Sequence, residues 1–351
     1  SPTGVEAEGW LISVGGTPKE IMSRSPEFTY KRLLDAADIA RKLGAQIMGL
    51  GAFTKVVGDA GVTVAKRARI PITTGNSYSA SGALWAAHDA MLKIGLVDKP
   101  KGRERVKFKA MVVGATGAIG SVCARLLAAA VKDVVLVSIE PPRLEALKRT
   151  ILEETPDASV EIDVSTANRV GDCDLIVTAT SAFGLRVLDV SQCKPGAVIL
   201  DVALPPDISA EEAAVRPDVL VVESGEVLIP GPVDFSFNIG LPEHVSYACL
   251  AEAALLAMEE RFECFTLGRD VPPARVKEIY RLFRRHRFEI APLRTFGELL
   301  TDAMIADKRS RAEELLRDPK LLKRVKAEAA AKIAKIPPRA KGVAGVTTLK
   351  G

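Results

Sequence analysis

The sequence predicts an α/β protein built on a doubly wound parallel sheet, with a smaller N-terminal α/β substrate domain and a helical C-terminal extension. Three observations predict it. Val112-Val113-Gly114-Ala115-Thr116-Gly117-Ala118-Ile119-Gly120 runs from an apolar strand through glycines into a helical pattern over 121–130. Near-continuous apolar strands at 107–113, 133–138, 174–179, 197–201 and 219–222 alternate with helical stretches, as a parallel sheet covered on both faces requires. A chain of 351 residues, 48% hydrophobic and 26% charged, has room for two or three compact units.

Residues 1–104 read as the N-terminal substrate and catalytic domain. Alternating Trp10-Leu11-Ile12-Ser13-Val14 predicts a strand, 27–43 a helix, and 47–50 a glycine-bounded strand leading into Gly51-Ala52-Phe53-Thr54-Lys55. A long helix follows from Asn76, with Ala80, Leu84, Ala87, Met91 and Ile94 at helical spacing and Asn76 or Ser77 as its cap. The charged segment 98–105 reads as a solvated linker.

Residues 105–240 read as a Rossmann-type dinucleotide-binding domain. Its G-x-x-G-x-x-G turn lets the backbone approach a pyrophosphate, whose charge then sits on the unpaired amides of the helix start. Gly114, Thr116, Gly117, Ala118, Ile119 and Gly120 are the candidate cofactor contacts there. Glu140, 20 residues beyond Gly120, is placed to hold a ribose hydroxyl, with Arg143 one turn further on. Ala179, Thr180 and Ser181, ending the third of these strands, are placed to touch the nicotinamide half. The implied cofactor is NADH or NADPH. An acid at 140 favours NADH, because it repels a 2′-phosphate.

Residues 241–295 read as helices, at 242–262 and 273–286, closing back on the N-terminal domain. Residues 296–351 form a basic tail: two helices over 296–335 broken at Asp318-Pro319, then a loose end from 336. The tail holds 13 Lys and Arg against 7 Asp and Glu, a surplus of six within a chain whose net charge is +4. An acidic protein partner or peripheral contact with an anionic membrane is what such a tail implies, and nothing points to nucleic acid.

Cys123, Cys173, Cys193, Cys249 and Cys264 form no C-x-x-C pair, and the three histidines have no ligand spacing, so neither a disulfide framework nor a metal site is expected. With no long apolar run and no basic-then-apolar leader pattern, the chain is expected to be cytoplasmic.

Five blocks carry a resemblance: Gly49-Leu50-Gly51-Ala52-Phe53-Thr54, Ile72-Thr73-Thr74-Gly75-Asn76-Ser77, the glycine turn from Val113 to Gly120, Ala248-Cys249-Leu250-Ala251-Glu252-Ala253, and Gly268-Arg269. In order and spacing the chain resembles the cyanobacterial long-chain acyl-[acyl-carrier-protein] reductases over about residues 1–295. The resemblance implies reduction of a long-chain fatty acyl thioester, on carrier protein or coenzyme A, to a fatty aldehyde by a reduced nicotinamide cofactor. From the residues alone Cys249 reads as a small buried hydrophobe on its helix. The resemblance makes it the nucleophile that carries the acyl group. Thr74 and Asn76, where amides and short polar side chains converge at a helix start, are the candidate oxyanion stabilisers, and Lys55 a candidate for polarising the thioester.

Three departures from that family stand out. The chain lacks an additional N-terminal segment, which makes a truncated or differently fused protein the expectation. The basic tail lies beyond the family's end. Where the family carries a basic residue and uses NADPH, this chain has Ile139-Glu140. The same two-domain plan also serves an amino-acid or shikimate-type dehydrogenase on a small polar substrate, or a non-catalytic dinucleotide-binding module of a larger protein.

Overall fold

A computed structural model describes residues 1–16, 18–55, 57–96, 105–182 and 185–337. Nearly all of the predicted linker at 98–105 and of the loose end from 336 lies outside the described residues. The described residues divide into two compact units, 1–82 with 225–291 and 83–224 with 292–337, so they visit each unit twice.

The first visit to the first unit lays down α1 (Pro18–Ser23), α2 (Pro26–Lys42), β1 (Met48–Gly49), α3 (Val62–Arg67), β2 (Ile72–Thr73) and the start of α4 (Asn76–Ile94), which spans the boundary. Proline in its first turn starts α2, whose Tyr30, Leu33, Ala37 and Ala40 recur at helical spacing and pack on Leu50, Val57, Val64, Ile70 and Ile72. β1 and β2 pair in parallel, Met48 opposite Ile72. No strand forms at 10–14. Ile12 and Val14 pack on the α2 cluster as their alternation suggests, but no strand pairs with that backbone among the described residues.

The second unit carries β3 (Val106–Val113), α5 (Ala118–Ala130), β4 (Val131–Val137), α6 (Pro141–Glu154), β5 (Ser159–Asp163), β6 (Leu175–Thr178), β7 (Val198–Asp201), α7 (Ala210–Ala214) and β8 (Leu220–Glu223). The strands pair in parallel in the order β5-β4-β3-β6-β7-β8. Strand order reverses at β3, and such a switch point leaves a crevice at the carboxyl ends of the strands. This is a Rossmann-type α/β fold. β5 went unpredicted because Ser159-Val160-Glu161-Ile162-Asp163 carries only two apolar residues, as a half-exposed parallel edge allows.

The chain returns to the first unit through β9 (Glu226–Leu228), β10 (Val245–Tyr247), α8 (Ala248–Met258), α9 (Pro273–Arg285) and β11 (Glu289–Ile290). The predicted helix over 242–262 is therefore shorter and later. His244 takes φ +62, outside the helical region, and Val245 and Tyr247 then pair antiparallel with Leu228 and Glu226 before the helix begins. α8 and α9 bury Ala251, Leu255, Leu256, Ile279 and Phe283 together with Tyr78, Phe265 and Phe288.

The last visit to the second unit adds β12 (Arg294–Thr295), antiparallel to β8, and β13 (Glu298–Leu299), antiparallel to β12, then α10 (Asp302–Arg317) and α11 (Pro319–Ile333). The break falls at Asp318, whose Oδ1 accepts from the amides of Lys320 and Leu321 at 2.9 and 3.0 Å. Three of the tail's cations donate to backbone carbonyls within this unit. Lys308 donates to the carbonyls of Pro217 and Val219, Arg309 to those of Lys93 and Ile94, and Lys326 to that of Gln192. Burial pushes the Lys308 and Lys326 ammonium groups below the usual lysine range. No described helix is long and apolar enough to cross a membrane.

Candidate active site

In the first unit the candidate catalytic residues Thr74, Asn76 and Cys249 belong to the turn leading into α4 and the start of α8. Cys249 is half-buried in the helix's first turn, which no side chain caps. Negative charge developing on a substrate is stabilised at such a position, where amides lack intrahelical partners. Gly75 packs directly on it: a Cβ there would stand 2.3 Å from the Cα and 2.5 Å from the Cβ of Cys249, and the residue sits at φ +70. Gly49 approaches the same turn, its notional Cβ 3.4 Å from the Cys249 carbonyl oxygen and 3.3 Å from Ala253.

The turn preceding α4 is tied to α8 by Glu252, three residues beyond Cys249 and fully buried. One carboxylate oxygen accepts from the Thr73 hydroxyl (2.5 Å) and the Thr266 hydroxyl (3.1 Å). The other accepts from the Ser77 hydroxyl (2.5 Å) and the Tyr78 amide (3.0 Å). Four donors on one buried carboxylate satisfy its lone pairs and bind three segments of chain into one body. Sequence reading missed Glu252 as a site residue. The signal was a single acid inside an otherwise apolar helix, on the face that also carries Cys249.

The other predicted residues of this unit are placed as follows. Thr74 is buried, and its hydroxyl and amide point to the Thr266 carbonyl, at 3.1 and 2.9 Å respectively. Asn76 is buried as the first residue of α4, directly after Gly75. Lys55 is half-buried at the end of the short 3-10 turn Ala52–Lys55, which follows β1. Tyr247, just before α8, is half-buried; burial, then Glu226 and Cys249, pushes its phenol above the usual range. His286 sits between the Ser1 hydroxyl and Glu259 (2.8 and 2.6 Å), away from this cluster.

The cysteines divide by environment. Burial pushes the thiols of Cys123, Cys173 and Cys193 up to about 12, so they stay protonated and inert. Cys249 is half-buried and Cys264 exposed.

In the second unit the glycine turn follows β3. Gly114 at φ +79 and Ala115 donate to the Val137 carbonyl, and Gly117 donates to the Gly114 carbonyl at 3.0 Å. A Cβ at Gly120 would lie 2.2 Å from that same carbonyl oxygen, so the tight turn excludes any side chain at this position. Gly117 caps α5 without a side chain, leaving the amides of Ala118, Ile119 and Gly120 in the first turn for a ligand. Thr116 donates to Glu140 at 2.6 Å and lies 2.7 Å from the Ser138 hydroxyl, which turns the Glu140 carboxylate back toward the glycine turn. Arg143 reaches the other oxygen of Glu140 at 3.4 Å. Ile139 stands 88% exposed beside it. After β6, Ala179 donates to Val113, Thr180 binds Asp207, and Ser181 is exposed. The eleven predicted cofactor residues thus lie at or just beyond the carboxyl ends of β3, β4 and β6, the crevice end of the sheet.

No family model matches the chain. Over 300 residues, 82% of the chain, it is 31% identical to the aminotransferase PigE of Serratia sp., of whose length it spans 34%. It is 25% identical over 297 residues to the long-chain acyl-[acyl-carrier-protein] reductase of Synechococcus elongatus, covering 82% of this chain and 84% of that protein. Among solved structures, quinate dehydrogenase from Corynebacterium glutamicum in complex with NAD aligns with TM-score 0.33 and 14% identity over 81% of this chain and 83% of the other.

Proposed function

We propose that the protein reduces a long-chain acyl thioester to an aldehyde through an acyl-enzyme on Cys249. The observation that carries this reading is the packing of Gly75 on half-buried Cys249 at the uncapped start of α8, one of the three segments that Glu252 binds together. The similarity to the S. elongatus reductase over most of both chains supports the same chemistry.

The Cys249 sulfur attacks the thioester carbonyl, the bond to the donor sulfur breaks, and the donor leaves as a thiol with the proton. The acyl group stays as a thioester on Cys249. Gly114, Gly117, the first-turn amides of α5 and Glu140 would hold a reduced nicotinamide dinucleotide, whose chemistry would be hydride donation to a thioester carbonyl. Asn76 and the amides of Cys249 and Leu250 stabilise the resulting oxyanion, the Ala248 amide being taken by the Gly225 carbonyl, with Thr74 holding the turn and Lys55 attracting the polar end of the substrate. Breakage of the carbon–sulfur bond returns the electron pair to Cys249 and releases the aldehyde. Thiolate departs readily, so this step needs oxyanion stabilisation more than a strong acid.

The donor is a carrier protein or coenzyme A, and an acidic carrier suits the basic surface of the tail. An aldehyde is itself a substrate for transamination, which gives a reductase unit a chemical place within a longer protein named for that reaction. The test is aldehyde formation from a long-chain acyl-CoA and reduced dinucleotide, with Cys249→Ser as control. Turnover that depends on the thiol supports the reading. Oxidation of a small hydroxy or amino acid by the same protein, insensitive to thiol alkylation, replaces it with the dehydrogenase reading.

A further inference from the structure

The carboxyl ends of β6 and β7 hold two acids that the reaction above does not use. Asp201 ends β7 and is buried, one carboxylate oxygen accepting from the Ala203 amide at 3.1 Å and the other from the Ile208 amide at 2.9 Å. A single carboxylate thus holds both ends of the turn over 202–208. That turn carries Asp207, also buried, whose oxygens accept from the Thr180 amide at 3.0 Å and the Thr180 hydroxyl at 2.6 Å. Thr180 follows Ala179, whose carbonyl oxygen lies against the glycine turn: a Cβ on Gly114 would meet it at 2.7 Å and the Thr180 methyl group at 3.1 Å.

We propose that Asp207, held in place by Asp201, is the positioning residue that sets the loop after β6 against the glycine turn and so pre-forms the nicotinamide end of the dinucleotide site. The proposal rests on the dinucleotide reading of this unit and is independent of the thioester. A loop that closes on a ligand from a disordered state gives up affinity to its own ordering, whereas two hydrogen bonds to one carboxylate order it in advance. Burial, then the neighbouring Asp207, pushes the Asp201 carboxyl up to about 7. Asp201 therefore retains a proton well toward neutrality, and its repulsion with Asp207 is relieved. Other acids on the flanking elements are engaged: Glu212 of α7 pairs with Arg186 at 2.7 Å, and Glu223 of β8 accepts from the Gly297 amide at 2.8 Å.

The experiment measures dissociation constants for NADH and NADPH by nucleotide fluorescence in the full chain, for wild type, Asp207→Ala, Asp207→Asn and Thr180→Val, with thermal unfolding of each. Asp207→Ala is expected to weaken the better-bound dinucleotide by about 10-fold or more, and Asp207→Asn, which keeps one acceptor, by no more than about 3-fold. Thr180→Val, which loses the hydroxyl alone, falls between them and serves in place of Asp207→Ala if that variant does not fold. Wild-type affinity in both Asp207→Ala and Thr180→Val overturns the positioning role while leaving the dinucleotide reading intact. A wild-type protein that binds neither dinucleotide overturns both.

Discussion

Gly75 and Cys249 are in backbone contact, with no room between them for a methyl group, which would stand 2.3 Å from the Cys249 Cα. Gly75→Ala must both take a left-handed backbone and displace the first turn of α8. We expect a loss of about 2–4 kcal/mol of stability and a fall in acyl-enzyme formation of about 100-fold, because a shift near 1 Å at the nucleophile costs on that scale. Chemical denaturation and the rate of acylation check the two separately. A variant with wild-type acylation would mean that the Gly75 turn does not position the thiol.

Glu252→Gln tests the body beneath that contact. Two of the four groups on the carboxylate would then face an amide NH₂, and the Tyr78 backbone N–H has no second role to turn to. The expected cost is on the order of 2–4 kcal/mol, read as a lower unfolding midpoint, with dinucleotide affinity unchanged. An unperturbed midpoint would show that the carboxylate is not the hub of this region.

These residues also mark how far the sequence could be read. The glycine turn from Gly114 to Gly120 was legible because it is local: strand, turn and helix follow one another, and the strands around it are continuously apolar. The place of Glu140 beside the glycine turn was legible through its fixed spacing from Gly120. The Glu252 hub was not, since Thr73, Ser77 and Thr266 meet it across up to 179 residues and no local pattern records such a meeting. β10 was read as helix because Pro242 and the apolar spacing after it suit a helix start, and only pairing with β9 makes Val245-Ser246-Tyr247 extended. The tail's charge was legible, but its partners, the carbonyls of Pro217, Val219 and Gln192, were not.

The Thr116–Glu140 hydrogen bond bears on cofactor choice. A carboxylate already turned toward the glycine turn accepts ribose hydroxyls and repels a 2′-phosphate, a difference of about 1–3 kcal/mol or roughly 5- to 150-fold, with Arg143 recovering part of it. Wild type is expected to prefer NADH, and Glu140→Ser to shift the ratio of kcat/KM values toward NADPH by about 10-fold. A wild-type preference for NADPH that the substitution leaves unchanged would remove Glu140 from the site.

Asp201 gives a pH dependence whose sign is fixed. Its carboxyl lies near 3.8 in the unfolded chain and is raised to about 7 in the fold, so the folded state holds the extra proton between those values. Its contribution to stability is complete below about pH 4 and is lost as pH rises through about 7. Asp201→Asn, which mimics the protonated form in charge, should flatten the fall in stability between about pH 4 and 7. Parallel pH profiles for wild type and variant would show that folding does not raise the Asp201 carboxyl.

The most direct measurement is the intact mass of the protein after mixing with a long-chain acyl-CoA in the absence of dinucleotide. Cys123, Cys173 and Cys193 stay protonated with thiols pushed up to about 12, which leaves Cys249 and the exposed Cys264 as the accessible sulfurs. The account predicts one acyl adduct, located on Cys249 by peptide mapping, absent from Cys249→Ser, and discharged as aldehyde when reduced dinucleotide is added. An unmodified protein that nevertheless forms aldehyde, or an adduct that persists in Cys249→Ser, would contradict it.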